Sequence, residues 1–553
     1  MEKPWLKEYP PGVPATLDLD PNESVVDIAD RAIRRFATRA AFSNLGRTIS
    51  YSEFDELSRR FSAWLQGLPG VVPGDRIAIM LPNLIQYPVV LFGAWRAGLV
   101  VVNVNPMYTP PELEHQLRDS GAKVLVILGQ RAGVYAEIKA RVDVRHVLVT
   151  GIGDLLGFPR GQLVNLVMRF VRRMPVADVP GAVEWSAVLA CDARSYRPVS
   201  LPKGADLACL QYTGGTTGRS RGAMLTHANL AANVRQINSW FSSRVVPGEE
   251  IMVTPLPLYH VYALMCNCLC YIDTGGHNLL ITDPRNLKRF IAELRSWKFT
   301  AITGVNTLYQ ALVDHPDIRT VDFSSLKLTS AGGMAVLPAT AKRWKEVTGV
   351  MIHEGYGLSE TSPVVTSNPV TLTEYNGSIG LPLSSTIVSL RNDDLNEVPL
   401  GEPGELCVHG PQVMRGYWND EGATASAMTS DGYFRTGDIA VMDERGYFRI
   451  VDRKKDMIDV SGLKVYPNEI EAAITNHPAV VEAACIGVPD DRTGEAVKVF
   501  IVLREGGRMS ADEVRTYLRS SLAPYKIPRH VEFRESLPKS NVGKILRREL
   551  RDP

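Results

Sequence analysis

Residues 76–128 read RIAIMLPNLIQYPVVLFGAWRAGLVVVNVNPMYTPPELEHQLRDSGAKVLVIL, and this stretch decides the fold. RIAIM (76–80) is a short β-branched apolar run that ends in a Pro-Asn turn, which reads as a buried strand. Residues 84–98 read as a helix, and VVVNVNP (100–106) as a second strand. PPELEHQLRDSG (110–121) is a helix opened by proline and closed by glycine, and AKVLVIL (122–128) a third strand. Strands without hydrophobic alternation are buried on both faces, and helices between them are the crossovers that parallel pairing needs. The pattern resumes at residues 299–303, 326–330 and 350–354. The fold class predicted is α/β, a large N-terminal domain of βαβ-type sheets. Upstream, Ser52 with Asp55 three residues on marks a helix start, followed by Phe54, Leu57, Phe61 and Leu65 at helical spacing.

The texture changes over residues 378–450, where short apolar runs alternate with Gly, Asp and Asn turns. That is hairpin-rich antiparallel sequence, predicted as a small β-barrel-like subdomain. The charged stretch DRKKD (452–456) follows, and then about 100 residues reading strand, helix, strand, strand, helix, strand. NEIEAAITNH and SADEVRTYLRSSL are the helices, VVEAACIGV and EAVKVFIVL the central strands. The predicted organisation is a large domain at 1–451 and a small mobile α+β domain at 452–553.

Composition excludes several classes. Of the 553 residues, 45% are hydrophobic and 22% charged, so the chain is neither disordered nor fibrous. The formal net charge of +1 supplies no field toward nucleic acid, and no nucleic-acid partner is expected. Seven cysteines cannot all pair, and MEKPWLKEYPPG lacks an apolar signal core. A cytoplasmic location is the expectation. The longest apolar stretches, 87–104 and 251–272, are interrupted by Arg96 and by Pro255, Pro257 and His260, so neither reads as a membrane span. Cys266, Cys268 and Cys270 alternate, which predicts one face of a strand; they read as core thiols rather than a metal site.

The densest chemical signal is YTGGTTGRSRGAMLTH (212–227). Three glycines, three threonines and two arginines fall within residues 213–221. Small residues let backbone N–H groups converge on an anion, and hydroxyls add donors. Such a run also suits an ordinary surface loop, and it lacks the Gly-Lys-Ser/Thr of a Walker A loop. Four further segments accompany it: EGYGLSE (354–360), YFRTGD (433–438), DRKKDMIDVSG (452–462) and PKSNVGKILRREL (538–550). Taken singly, each also reads as a cap, a turn, a linker or a basic tail.

In this order and at these separations, the five segments resemble the acyl-adenylate-forming superfamily, and within it the bacterial long-chain fatty-acid–CoA ligases. PLPLYHVYAL (255–264), ITGVNTLY (302–309) and LPKSNVGKILRRELRD (537–552) resemble that branch. The resemblance covers nearly the whole chain. It implies two half-reactions: a carboxylate attacks the α-phosphate of ATP to give acyl-AMP and pyrophosphate, and the CoA thiol then displaces AMP. Mg²⁺ is the implied cofactor, with ATP and CoA as co-substrates and a fatty acid as the acid. It further implies that Thr213, Gly214, Gly215, Thr216, Thr217, Gly218, Arg221 and Gly222 hold phosphates, and that Tyr356 packs on adenine with Gly332, Gly333 and Gly357 nearby. Ser359 is implied to meet the α-phosphate, Glu360 the metal, and Asp438 and Arg453 the ribose. Lys544 matches the catalytic lysine and Lys455 the hinge about which the small domain turns. Tyr259, His260, Tyr262, Gly304 and Val305 match the acyl pocket.

Three departures stand out: Arg221 where many relatives have Lys, Ser359 for Thr, and Asp459 at a position often apolar or basic. Other acids (aryl or terpenoid), a carrier-protein acceptor, and a lipid-binding protein with decayed catalysis remain alternatives. The family also implies a homodimer. Finally, residues 160–174 form a basic amphipathic pattern: Leu163, Leu166, Val167, Phe170, Val171 and Met174 share one helical face, with Arg160, Arg169, Arg172 and Arg173 off it. This is a candidate contact for peripheral association with the inner face of the membrane; an ordinary docked surface helix is the alternative.

Overall fold

The computed structural model describes residues 3–171, 179–199, 203–213, 220–461, 463–539 and 545–551. The chain divides into two compact units, one of Tyr9–Ile387 with His409–Ser426, the other of Met1–Glu8, Val388–Val408 and Ala427–Pro553. This division groups the hairpin-rich strands after residue 387 with the C-terminal residues, where the sequence reading of 1–451 and 452–553 groups them with the larger domain.

In the first unit, among the described residues, two sheets carry the α/β pattern. One has seven strands in the order Val183–Glu184, His146–Thr150, Val124–Leu128, Arg76–Met80, Val100–Asn103, Leu207–Thr213, Arg221–Thr226. All of its pairs are parallel except the last, an antiparallel hairpin. Its three central strands are the apolar runs quoted above, and their side chains enter a core with Leu113 and Leu117 from the helix Pro110–Ser120 and Tyr135 from the helix Ala132–Ile138. The helices run Gln86–Arg96 and Pro110–Ser120, as the sequence predicts. Gly121 closes the second at φ +60, the left-handed conformation that glycine adopts without a Cβ penalty.

The other sheet has nine strands, ordered Leu381–Pro382, Val364–Ser367, Ile352–Gly357, Leu328–Ala331, Ala301–Gly304, Ile251–Thr254, His277–Leu280, Ala40–Asn44, Arg47–Ser50. The strands predicted at 299–303, 326–330 and 350–354 sit side by side and parallel in it.

Two local expectations are corrected. The helix Tyr51–Gln66 is capped by Ser50, whose hydroxyl accepts from Glu53 N, so the cap lies two residues before Ser52. The run holding Cys266, Cys268 and Cys270 is helical, passing through Leu264–Leu269 and Cys270–Asp273. Alternate positions on a helix lie on nearly opposite sides, and here almost every side is buried, so the 2-residue spacing carries no strand information. All seven cysteines are free thiols.

The second unit contains a four-stranded sheet of Ile387–Arg391, Gly404–His409, Phe434–Met442 and Phe448–Arg453 in sequential order, where the sequence predicts the barrel-like subdomain. A second sheet pairs Leu463–Val465, Ile458–Val460, Gly494–Leu503 and Val480–Asp490, with His530–Phe533 parallel to Gly494–Leu503. Helices Pro467–Thr475 and Ala511–Arg519 belong to the same core, giving the predicted α+β order. No helix among the described residues is long and apolar enough to cross a membrane.

Candidate active site

In the first unit, the Gly/Thr segment joins the two strands of the antiparallel hairpin. Thr213 and Arg221 are register partners, so the strands bring both ends of the loop together. Thr213 and Arg221 are described; Gly214, Gly215, Thr216, Thr217 and Gly218 lie outside the described residues. Gly222 packs closely, since a Cβ there would lie 3.1 Å from the Tyr212 ring. Tyr212 is fixed by its hydroxyl, which donates to Asp119 Oδ2 at 2.5 Å. Burial and the Asp119 carboxylate both push that phenol far above its ordinary pKa.

The outer strand of this hairpin is itself covered. Met224 N donates to Gly416 O, Arg415 N to Met224 O and Trp418 N to Gly222 O, at 2.8–3.0 Å. Residues 415–418 are thereby drawn along the strand that begins at Arg221, with Ala223 and Tyr417 forming a bridge. Two side-chain contacts follow from this backbone alignment. Arg221 Nε lies 3.0 Å from Asp420 Oδ2 with its guanidinium over the Tyr417 ring, 5.8 Å from the centroid. Tyr417 Oη donates to Glu360 Oε1 at 2.8 Å. Nothing in the sequence marked Tyr417 or Asp420, because their placement depends on a strand pairing across nearly two hundred residues.

Glu360 and Ser359 occupy a single 3₁₀ turn after the strand Ile352–Gly357. The turn is tight: a Cβ at Gly357 would fall 1.9 Å from Pro363 O, and the Thr361 hydroxyl lies 2.5 Å from the same oxygen. Glu360 is buried, and its carbonyl accepts from Met414 N at 2.7 Å. Tyr356 lies in the same strand, at the carboxyl end of the parallel part of the sheet, where open α/β sheets hold ligands.

Gly332 and Gly333 follow the neighbouring strand Leu328–Ala331. A Cβ at Gly332 would lie 3.3 Å from the Tyr262 ring and 3.4 Å from Gly355 O, and Gly333 has φ +81. The loop beyond is held by Asn306, whose Oδ1 accepts from Leu337 N at 2.9 Å, and by Glu354, which faces Val336 N and the Tyr375 hydroxyl. Burial raises the Glu354 carboxyl to about 7, with those two donors opposing the rise.

The acyl-pocket candidates converge on the same strands. Tyr262 Oη and Ser330 Oγ are 3.2 Å apart, and burial pushes the Tyr262 phenol far up. Gly304 ends the strand Ala301–Gly304, where a Cβ would meet the Tyr309 ring at 2.7 Å. Val305 begins the next helix as its N-cap residue. Tyr259 is held through its carbonyl by Gln211 Nε2 at 3.2 Å, and burial raises its phenol to about 12. His260 caps the following helical run, its Nδ1 accepting from Tyr262 N at 3.4 Å. That is a structural use of the ring.

In the second unit, Asp438 and Arg453 are direct register partners on adjacent strands, with Arg453 Nε 3.3 Å from Asp438 Oδ1. Gly437 at φ +71 makes the bend before Asp438, whose N–H donates to Thr436 Oγ1. Lys455 sits in the 3₁₀ turn Lys454–Asp456. Desolvation lowers its ammonium, the guanidinium groups of Arg453, Arg551 and Arg547 adding to that and Asp456 opposing. Asp459 pairs with Lys464 at 3.0 Å across a hairpin, and its N–H donates to Glu495, so the departure at this position has a local partner.

Lys544 lies outside the described residues. Among the described residues on either side of it, Lys539 and Ile545 bridge, and Leu546 N donates to Pro538 O at 2.9 Å. Three residues beyond Lys544, Arg547 is buried among acids, a feature missed in the sequence although it stands inside the quoted motif. It bonds Glu471 at 2.8 and 3.0 Å, Asp452 at 3.2 Å, Asp456 at 3.4 Å and Asn468.

Among the described candidate residues of the first unit, the one carboxylate is that of Glu360, with the Tyr417 hydroxyl on its Oε1. Among the described residues no three His, Cys, Asp or Glu side chains form a metal cage, and Mg²⁺ is commonly held by one or two carboxylates plus substrate phosphates.

Comparison with known proteins places the chain in a family. Residues 29–418 match the AMP-binding enzyme family, and residues 469–544 its C-terminal domain. The chain therefore belongs to the AMP-binding enzyme family. It is 50% identical to the long-chain-fatty-acid–CoA ligase of Escherichia coli O6:H1, covering 100% of this chain and 98% of that one. The Yersinia pestis long-chain-fatty-acid–CoA ligase is also 50% identical over the same shares. Among solved structures, ATP-bound MatB from Rhodopseudomonas palustris is 28% identical with a TM-score of 0.82, over 95% of this chain and 98% of that one.

Proposed function

We propose that this enzyme activates a medium- to long-chain fatty acid with ATP, forming acyl-AMP and pyrophosphate, and then transfers the acyl group to CoA with release of AMP. The observation that carries this reading is 50% identity, end to end, with long-chain-fatty-acid–CoA ligases, joined to intact Glu360, Asp438, Arg453 and Lys544.

In this reading the hairpin loop between Thr213 and Arg221 cradles the β- and γ-phosphates, with Gly214, Gly215, Thr216, Thr217, Gly218 and Gly222 shaping it. Tyr356 stacks on adenine beside Gly332, Gly333 and Gly357; Asp438 accepts from the ribose hydroxyls, assisted by Arg453. Ser359 donates to the α-phosphate. Glu360 would hold Mg²⁺, whose chemistry when bound is to neutralise charge on the phosphate oxygens. The acyl chain lies against Tyr259, His260, Tyr262, Gly304 and Val305. Lys544 brings an ammonium to the α-phosphate and the attacking carboxylate, stabilising charge that grows in the transition state. The boundary at Asp452, with Lys455 as hinge, lets a mobile C-terminal domain supply that lysine for the first step and withdraw it for the second.

Pyrophosphate release over a panel of acids, with and without CoA, tests this. Long-chain acids are expected to give the highest kcat/KM, with acyl-CoA as product. A preference for aryl or terpenoid acids, or no thioester with CoA, would overturn the substrate or acceptor assignment.

We further propose peripheral membrane contact through 160–174. On the helix Arg160–Leu166 and its continuation, Leu163, Leu166 and Phe170 are exposed, with Phe158 84% exposed just before. Arg172, Arg173 and Met174 lie outside the described residues. An exposed apolar stripe beside arginines suits an anionic interface, where a fatty acid also partitions. Sedimentation with anionic vesicles is expected to carry down the wild-type chain and to lose most of it after Leu163→Gln, Leu166→Gln and Phe170→Gln together. Equal sedimentation of both would end the idea. A cytoplasmic location at the inner face of the membrane and a homodimer complete this proposal.

A further inference from the structure

The contacts of Tyr417 point beyond the residues assigned so far. We infer that Tyr417 is a positioning residue that couples the phosphate-contacting cation Arg221 to the metal-associated carboxylate Glu360. This rests on the reading of Arg221 and Glu360 given above.

One aromatic side chain serves both groups through different parts of itself. Its hydroxyl donates to Glu360 Oε1 at 2.8 Å, which fixes the carboxylate within the 3₁₀ turn. Its ring face carries the Arg221 guanidinium. Asp420, three residues on, takes Arg221 Nε, so one of the five guanidinium donors is committed to orientation. The ring itself is fixed by backbone bonds on either side, Arg415 N to Met224 O and Trp418 N to Gly222 O. Tyr417 therefore moves with the strand that begins at Arg221, and any shift of the phosphate loop's exit is passed to Glu360.

The same geometry accounts for Arg221. A planar guanidinium stacks on an aromatic face while its Nε holds a carboxylate; a lysine ammonium has no plane to stack and no Nε to commit. The Tyr417–Asp420 pair is thus a seat shaped for arginine, and the departure from lysine is matched by its surroundings.

Two variants of the full chain separate the hydroxyl from the ring. In Tyr417→Phe the ring seat for Arg221 persists and only the donor to Glu360 is lost. Calorimetric binding of ATP in the presence of Mg²⁺ is expected to weaken by about tenfold, the lower end of the range for losing a partner that orients a metal ligand. Binding of metal-free ATP should hold within about twofold, and thioester formation from supplied acyl-AMP and CoA should be unchanged. In Tyr417→Leu, metal-free ATP binding should weaken as well, because the seat for Arg221 is gone. Equal losses for Mg²⁺-bound and metal-free ATP in Tyr417→Phe, or no loss in either, would overturn the coupling. So would an unchanged metal-free affinity in Tyr417→Leu. Glu360→Gln serves as the reference: if it leaves Mg²⁺-dependent binding intact, the metal assignment falls and takes the coupling with it. If it weakens that binding while Tyr417→Phe does not, the assignment stands and the coupling alone fails.

Discussion

Lys544→Ala is expected to slow acyl-AMP formation by about 10²–10³-fold, the usual cost of one preorganised electrostatic contact at a reacting centre. Thioester formation from supplied acyl-AMP and CoA is expected to stay within about threefold of wild type. The asymmetry follows from where the lysine stands as charge develops. In the first step the α-phosphoryl oxygens gain negative charge while a carboxylate approaches, and an ammonium stabilises both groups. In the second step a thiol attacks the acyl carbon and the charge passes to the departing AMP phosphate, but in the proposed cycle the C-terminal domain has by then withdrawn Lys544, so its loss is not felt there. Single-turnover measurement of each half-reaction checks this. A fall of equal size in both would show that the lysine supports the fold or the CoA site rather than adenylation.

The second large effect is structural. Arg547→Met is expected to destabilise the C-terminal part of the second unit by roughly 3–5 kcal/mol, the usual result of removing one partner from a buried ionic cluster. Arg547 is the shared cation for Glu471, Asp452 and Asp456. Desolvation raises the carboxyls of Glu471 and Asp452, and the attraction of Arg547 holds that rise down. Without the guanidinium both carboxyls rise further. Carboxyls raised in the folded state favour folding below their unfolded values and lose that contribution as pH climbs through the folded ones. The deficit of Arg547→Met should therefore be largest near pH 8 and shrink toward pH 5, as the orphaned acids take up protons. Arg547→Lys should recover only part of the loss, because an ammonium cannot make the paired bonds to Glu471. Hydrogen exchange in Val480–Asp490 and Gly494–Leu503, compared at the two pH values, reads the effect. A deficit independent of pH would mean that lost packing, rather than orphaned charge, explains it.

Much of the fold is legible in the chain because its signals are local. The strands at 76–80, 100–103 and 124–128 are continuous apolar runs, and proline and glycine bracket the helix at 110–120. What misleads is spacing without burial contrast. Alternating cysteines imply a strand only where one face meets water, and around Cys268 and Cys270 nearly everything is buried. A cap at Ser52 falls two residues late for the helix Tyr51–Gln66 because Ser50 and Ser52 both offer a hydroxyl, and only the backbone geometry decides which one caps. For the site, motif residues such as Asp438 and Arg453 stand out, and the structure pairs them directly. Tyr417 and Arg547 do not stand out. Their importance comes from partners 57 and 76 to 95 residues away, which no window along the chain brings together.

One short strand, Phe448–Arg453, ends with two neighbours that face opposite ways. Arg453 meets Asp438, while Asp452 turns to Arg547. Consecutive strand residues must diverge in this manner, so the pair with Asp438 and the pair with Arg547 share one pleat. Adding or deleting a single residue there would exchange the two faces at once, setting an acid against Asp438 and a cation against Arg547. Length in this strand is thus under tighter constraint than composition, and gene libraries that permit insertions should find it intolerant while conservative substitutions elsewhere along it survive.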